Sequence, residues 1–199
     1  MIKAHGPEHQ LTIQEMGSLG MKLYEQRKFD EAEPLLQKAY DGIKALRGDS
    51  SLETLRILAV LADVKATKGE LNHSEVMFRV ALDGIQRSLG EENTEYLSLA
   101  LKFTILLNTK DNYVEAATFG RKVFETFART HGYSHQSSLN SLLVYTESLV
   151  NSGLPGTIHE ALSLLRHMKD ENIKAYGVDS DQVKHIESAI VDIQKLANS

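Results

Sequence analysis

The sequence contains no cysteine and no tryptophan, has three prolines, and draws 7% of its residues from the aromatic types. Without cysteine there is no disulfide framework, no thiolate metal site and no cysteine nucleophile. The longest apolar run, from Ile57 to Ala62, is far shorter than the ~20 residues that a membrane span needs. We therefore expect no membrane insertion. Because the first residues lack the apolar core of a signal peptide, we expect a cytoplasmic protein.

An excess of positive charge is missing as well. The chain has 22 basic and 27 acidic residues, which gives a formal net charge of −5. Proteins that bind nucleic acids through phosphate contacts usually present a basic face, so we expect no nucleic-acid partner. With 199 residues, of which 42% are apolar, the chain is long enough for a stable core or for one long repeat array.

A repeat of 42 residues runs through the chain. Glycines at a recurrent junction fall at positions 6, 48, 90, 132 and 177, which gives three intervals of 42 residues and a last interval of 45. A small residue stands sixteen positions before each of the last four glycines: Ala32, Ser74, Ala116 and Ala161. The three extra residues of the last interval lie in the turn-rich stretch 151–157, where an insertion costs little. Such self-similarity predicts a repeat architecture.

Each repeat has the pattern of two helices. In the first unit Ala32, Leu36, Ala39 and Ile43 follow one another at steps of four, three and four residues, which is one face of an α-helix. No segment shows the alternation that is typical of a strand. We predict helix pairs over residues 7–48, 49–90, 91–132 and 133–177, followed by a last helix over 179–197. Because a helix pair cannot bury its apolar face alone, stacked pairs would form one all-α solenoid domain over residues 1–199.

These features resemble the tetratricopeptide repeat (TPR), in the 42-residue form found in kinesin light chains. The residues that carry the resemblance are Leu19-Gly20 and Leu61-Ala62 in first helices, the segment from Asp30 to Ala39 in a second helix, and Gly6-Pro7-Glu8-His9 at a junction. The resemblance covers essentially the whole chain. It implies a right-handed superhelical solenoid of antiparallel helix pairs, with about four repeats and a terminal helix.

The two ends of the sequence suggest a piece of a longer protein. The segment from Ile2 to Gly6 resembles that from Ile173 to Gly177, the tail of a second helix, and the chain stops after the first helix of a fifth unit. We therefore expect a fragment of a longer array or of a larger protein. The alternative is a complete small protein with a frayed start and a solvating last helix.

No group of side chains points to catalysis. His131 and His135 lie four residues apart, as do His5 and His9, and both pairs occupy the same repeat position at a junction glycine. No carboxylate or thiolate completes a metal site with them, so we interpret these histidines as structural. Phosphate-binding glycine loops and a serine nucleophile elbow are missing from the sequence. We expect no enzyme activity, no cofactor and no metal.

The resemblance implies a binding surface, because ligands of the family usually lie in a concave groove lined by the first helices. Carried over by repeat position, the groove residues are Gln14, Gly17, Met21, Tyr24, Arg56, Ala59, Asp63, Leu101, Ile105, Asn108, Asn140, Leu143, Glu147 and Val150. Kinesin light chains hold an extended peptide with paired asparagines, and those positions here are Gly17-Ser18, Ala59-Val60, Leu101-Lys102 and Leu143-Val144. Gly17 and Met21 replace the lysine and asparagine with which chaperone-binding members clamp a terminal carboxylate.

The expected function is a non-catalytic module for protein–protein interaction, as a scaffold, adaptor or cargo-recognition subunit. Leu101, Ile105, Leu143 and Val150 make half of the groove apolar, which favours an amphipathic helix or the apolar anchors of a peptide as the ligand. The alternative is that packing between units buries some of these side chains. A second hypothesis is a regulatory or sensor region of a larger enzyme or ATPase whose catalytic part lies outside this chain. A third is self-association through exposed ends.

Overall fold

The structure is a computed structural model that describes residues 9–197. This part of the chain contains nine α-helices and no strand, which confirms the prediction of an all-helical fold. The helices are α1 Gln10–Glu25, α2 Phe29–Arg47, α3 Leu52–Thr67, α4 Leu71–Leu89, α5 Thr94–Thr109, α6 Tyr113–His131, α7 Gln136–Asn151, α8 Thr157–Tyr176 and α9 Asp181–Ala197. His5 and the junction around Gly6 lie outside the described residues.

The residue before the first turn of α1, α3, α5, α7 and α9 occupies the same position of the repeat and caps the helix. Its side chain accepts a hydrogen bond from a backbone N–H of the first turn, as Asn93 Oδ1 does from Glu95 at 2.8 Å. The ring nitrogen Nδ1 of His135 has the same role towards the N–H of Ser137, at 3.1 Å. Such caps satisfy donors that the helix itself leaves unpaired. The five capping residues are His9, Ser51, Asn93, His135 and Ser180.

A glycine ends the second helix of each pair. Gly48, Gly90, Gly132 and Gly177 have φ between 83° and 88°, a left-handed conformation that other residues rarely adopt. Each donates its N–H to the carbonyl four residues earlier, as Gly132 does to Ala128 at 3.0 Å. An added Cβ would meet nothing within 4 Å at any of these four positions, so backbone conformation rather than crowding selects glycine here.

The chain divides into two compact units, Met1–Leu99 and Ala100–Ser199, with the boundary inside α5. In the first unit α1 packs on α2, α3 packs on α4, and α2 also contacts α3. Gly20 lets α1 approach α2 closely, because a Cβ at this position would lie 2.8 Å from Cγ of Leu36. One buried apolar cluster of the first unit consists of Ile13, Ala32, Leu36, Ala39, Ile43, Ile57, Leu61 and Val64.

In the second unit α6 packs on α7, α7 on α8 and α8 on α9. Tyr145 is fully buried and occupies the space that Gly120 leaves, because a Cβ on Gly120 would lie 3.2 Å from Cα of Tyr145. The ring of Phe124 stacks on that of Tyr145 with 6.3 Å between their centroids. The Tyr145 hydroxyl and Arg121 Nη2 both donate to Oε1 of Glu160 at 2.7 Å, so the buried phenol keeps a polar partner.

Candidate binding surface

First helices of neighbouring pairs contact each other inside each unit: α1 contacts α3 in the first unit, and α7 contacts α9 in the second. We call the surface along this contact the first-helix face of the unit. The face of the first unit contains an open cavity, the α1–α3 cleft, and the face of the second unit contains another, the α7–α9 cleft. Four predicted groove residues line the first cleft and three line the second. The structure therefore brings half of the predicted set to the two clefts.

The α1–α3 cleft has a volume of about 460 Å³ and a polar rim. Its buried part is apolar, with Ile43 3% and Ile57 7% exposed. Ser18 and Arg56 are exposed, and Gln14 is half-buried. The lining residues are Gln14, Gly17, Ser18, Met21, Ile43, Glu53, Arg56 and Ile57. Of these, Gln14, Gly17, Met21 and Arg56 were predicted from repeat position.

The cation of the α1–α3 cleft already has a partner inside the first unit. Arg56 donates through Nε and Nη2 to the two carboxylate oxygens of Glu95, each at 2.7 Å. This two-point hydrogen bonding raises the pKa of Arg56 above its usual value. Arg56 also experiences the charge of Glu53, which lines the same cleft. A ligand carboxylate would therefore compete with two internal carboxylates at this cation.

Three predicted residues of the first unit lie beside the α1–α3 cleft rather than in its lining. The hydroxyl of Tyr24 donates to Oδ2 of Asp63 and so connects α1 to α3. The Tyr24 ring also contacts Phe29, with 6.0 Å between the ring centroids. Ala59 is half-buried. In this unit Tyr24 and Asp63 hold the two helices of the cleft together.

The α7–α9 cleft is smaller, with a volume of about 210 Å³, and mainly apolar. Thr146 and Ile193 are buried, Leu143 and Val150 are half-buried, and Leu196 is 57% exposed. The lining residues are Leu143, Thr146, Glu147, Val150, Asn151, Ala189, Asp192, Ile193 and Leu196. Leu143, Glu147 and Val150 were predicted from repeat position.

Sequence reasoning missed the side of this cleft that α9 provides. Ala189, Ile193 and Leu196 follow one another at steps of four and three residues, so the apolar stripe was visible in the sequence. The stripe alone did not indicate that these residues border the α7–α9 cleft. The α9 side therefore became visible through tertiary contacts.

Asn108 has its polar atoms engaged within the second unit. Its side chain is 7% exposed, and its Nδ2 donates to the carbonyl of Val144 at 3.4 Å. Its Oδ1 accepts a hydrogen bond from Ser148 Oγ at 2.8 Å. These bonds connect α5 to α7, so Asn108 positions α7 and presents little surface of its own. The other predicted residues outside both clefts are Leu101, which is half-buried, Ile105, which is 46% exposed, and Asn140, which is exposed.

Two comparisons with known proteins identify the repeat. A family model described as the tetratricopeptide repeat matches residues 10–87. A variant of a Podosopora anserina protein, assigned as a kinesin light chain with nearly identical TPR-like repeats, has a similar crystal structure with a TM-score of 0.84. That alignment covers 98% of this chain and 89% of the other, at 14% sequence identity. Residues 10–87 are tetratricopeptide repeats, and the chain has a TPR-like fold.

Two further crystal structures share the TPR-like fold. Another structure of the Podosopora anserina repeats has a TM-score of 0.83 at 16% identity, and the alignment covers 96% of this chain and 89% of that chain. BtubC (BKLC) from P. vanneervenii has a TM-score of 0.54 at 15% identity, with coverage of 95% and 82%. No curated protein matches the sequence. At these identities the likeness shows the fold, and the predicted class, an all-α solenoid of helix pairs, is confirmed.

The tetratricopeptide fold is commonly a protein-interaction module and is typically non-catalytic. Among residues 9–197, no group of three or more histidine or acidic side chains could hold a metal ion. The rings of His131 and His135 lie 4.8 Å apart, and Nδ1 of His135 serves as a helix cap. None of the helices in the described range is long and apolar enough to cross a membrane.

Proposed function

We propose that this chain is an interaction module that binds a peptide or an amphipathic helix of a partner protein on a first-helix face. Its role would be that of a scaffold, adaptor or cargo-recognition subunit in the cytoplasm. The observation that carries the proposal is the α7–α9 cleft, where apolar side chains remain partly accessible to solvent. An apolar cleft with a polar rim is a common feature of protein-binding surfaces.

The proposal differs from the two binding modes that the family resemblance implied. At the positions of the paired asparagines the second unit has Leu143 and Val144, which offer no amide to an extended peptide backbone. A partner would instead be held by its side chains. The α1–α3 cleft of the first unit is a separate, more polar surface, which offers hydrogen bonds and charge selection through residues such as Gln14 and Arg56.

A capture experiment with matched variants tests this proposal. Leu143→Glu and Leu196→Glu each place a charge in the α7–α9 cleft, whereas Val114→Glu places the same charge on α6, where Val114 is 55% exposed. We expect the wild type and Val114→Glu to capture the same partner from a cell lysate and both cleft variants to lose it. Circular dichroism would verify that each variant is folded.

Leu196→Glu is the decisive variant, because Leu196 is exposed and its replacement leaves the core intact. A partner that binds all folded variants equally would show that the first-helix face of the second unit is not the binding surface. Imaging of a fluorescent fusion of this protein would test the cytoplasmic location.

A further inference from the structure

The size of the α7–α9 cleft restricts what can occupy it. Its volume of about 210 Å³ is below the ~300–1,000 Å³ of pockets that enclose drug-sized ligands. A cleft of this size fits individual side chains. The occupant is therefore expected to be a polypeptide that inserts a few anchors, rather than a small molecule or a cofactor.

The cleft is bordered by two rows of residues that have helical spacing. Leu143 and Val150 lie seven residues apart on α7, while Ala189, Ile193 and Leu196 follow at steps of four and three on α9. Rows with this spacing form ridges, and another helix can place its own ridge in the groove between them. The geometry thus suits anchors at positions i, i+3 or i+4, and i+7 of a helix.

Hydrogen bonding also favours a helix over an extended segment. The backbone of an extended peptide has N–H and C=O groups that need partners when they are covered. Leu143, Val150, Ile193 and Leu196 provide apolar contact but no hydrogen bonds. The hydroxyl of Thr146 donates to the carbonyl of Leu143 at 3.0 Å, so the amide of Asn151, at the end of α7, is the remaining uncharged polar group of the lining. A helix satisfies its own backbone groups and needs only apolar contact from such a surface.

The charges of the cleft have one sign. Its charged lining residues are Glu147 and Asp192, and α7 has neither lysine nor arginine along its whole length. Lys195, one turn from Asp192 on α9, forms an ion pair with Asp192 at 3.0 Å, and both side chains are well exposed. Such surface pairs are weak, so a cation of a ligand can compete for Asp192. The α1–α3 cleft differs, because Arg56 lies in its lining.

We propose that the α7–α9 cleft binds a basic amphipathic helix of a partner protein, with its apolar anchors between Leu143, Val150 and Leu196 and its lysines or arginines beside Glu147 and Asp192. This inference rests on the proposed function and specifies the partner's chemistry. The second unit then selects both an apolar stripe and a positive flank.

Fluorescence anisotropy with the full chain and three labelled peptides tests the proposal. The first peptide carries leucines at helical spacing with flanking lysines, the second has glutamates in place of the lysines, and the third has the composition of the first in scrambled order. We expect the lysine peptide to bind at least about 10-fold more tightly than the other two. Its binding should weaken as the salt concentration rises.

Charge variants with a matched control locate the effect. The double variant Glu147→Lys/Asp192→Lys should reverse the preference so that the glutamate peptide binds more tightly. Glu125→Lys/Asp170→Lys changes the net charge equally at exposed positions on α6 and α8 and should keep the wild-type preference. Leu196→Ser should weaken binding of the lysine peptide by about 10-fold through the loss of an apolar contact.

Three results would overturn the inference. Equal affinity for the lysine and glutamate peptides would show that the cleft does not select charge. Equal affinity for the lysine peptide and its scrambled form would show that binding depends on net charge and not on helical spacing. If none of the three peptides binds, the α7–α9 cleft does not bind an amphipathic helix. None of these results decides the proposed function, which fails only if the captured partner remains bound to Leu196→Glu.

Discussion

The buried side-chain amide of Asn172 distinguishes α8 from α2, α4 and α6, the second helices of the other pairs. Asn172 is fully buried at the core position that Ile43, Ile85 and Phe127 occupy in the earlier units. Its Nδ2 donates to the carbonyl of Met168 at 2.9 Å, whereas its Oδ1 has no hydrogen-bond partner among the described residues. A buried acceptor without a partner costs free energy that an apolar side chain does not.

We predict that Asn172→Leu raises the free energy of unfolding by about 1–2 kcal/mol, because it removes the buried unpaired oxygen. The reciprocal change, Ile85→Asn, should lower it by at least about 2 kcal/mol, since it buries a new amide and removes apolar contacts. Urea denaturation followed by circular dichroism measures both. A loss of stability in Asn172→Leu would show that the amide is needed where it stands.

The buried phenol of Tyr145 makes stability depend on alkaline pH. Burial, and secondly the hydrogen bond to Glu160, raise the pKa of Tyr145 well above its usual value of about 10. A group whose pKa is raised in the folded state contributes stability that is complete below its unfolded pKa. That contribution decreases as the pH rises above about 10, because the unfolded chain then releases the proton more readily.

We therefore predict that the wild type loses stability between about pH 10 and 11.5, and that Tyr145→Phe shows a smaller loss over this interval. At pH 7 the same variant should be less stable by about 1 kcal/mol, because the hydrogen bond to Glu160 is gone. Tyr176→Phe, at an exposed position, is the control. Parallel pH profiles for the wild type and Tyr145→Phe would contradict this account.

At the scale of elements, the turn inside each helix pair requires a left-handed residue. The φ values are 60° at Arg27, 83° at Gly69, 58° at Asp111 and 65° at Gly153, at equivalent positions of the four pairs. Side chains in this conformation meet a steric penalty of about 1–2 kcal/mol that glycine avoids. Two of the four turns therefore contain strain that the other two do not.

We predict that Arg27→Gly is neutral or stabilises the protein by up to about 1 kcal/mol, because relief of strain slightly exceeds the entropy that glycine adds to the unfolded chain. Gly69→Ala should destabilise it by about 1–2 kcal/mol, although an added Cβ has no neighbour within 4 Å. Thermal unfolding of the two variants provides the comparison. If Gly69→Ala were as stable as the wild type, the turn would not require glycine.

At the scale of the whole molecule, we propose that the repeat units 7–48, 49–90, 91–132 and 133–177 and the last helix form one domain. The boundary between the two compact units lies inside α5, so the unfolding of one unit would interrupt this helix. Shortened helices are unstable in isolation. The two units are therefore expected to unfold together.

Tryptophan probes test this prediction, because the natural sequence has no tryptophan. Tyr40→Trp reports on the first unit and Tyr133→Trp on the second, and both positions are half-buried. We expect urea transitions of the two variants, followed by fluorescence, to coincide with the transition seen by circular dichroism. Separate midpoints would show two domains.

The sequence determined the helices and the repeat, since their signals are local. A capping side chain, a helix-ending glycine with positive φ and an apolar stripe of period 3.6 each act within one segment. These features recur because each unit must begin, end and bury its helices in the same way. For this reason the positions of the first-helix residues could be carried from unit to unit before any contact was known.

The tertiary structure decided which of those residues remain accessible. Asn108 occupies a predicted groove position, yet its amide bonds to Val144 and Ser148, which lie 36 and 40 residues away in the sequence. The α9 side of the second cleft likewise depends on where α9 packs beside α7. Periodicity assigns a residue to a face of its own helix, whereas exposure depends on what another helix places against that face. That second quantity is a long-range property, which the spacing of residues within one segment does not encode.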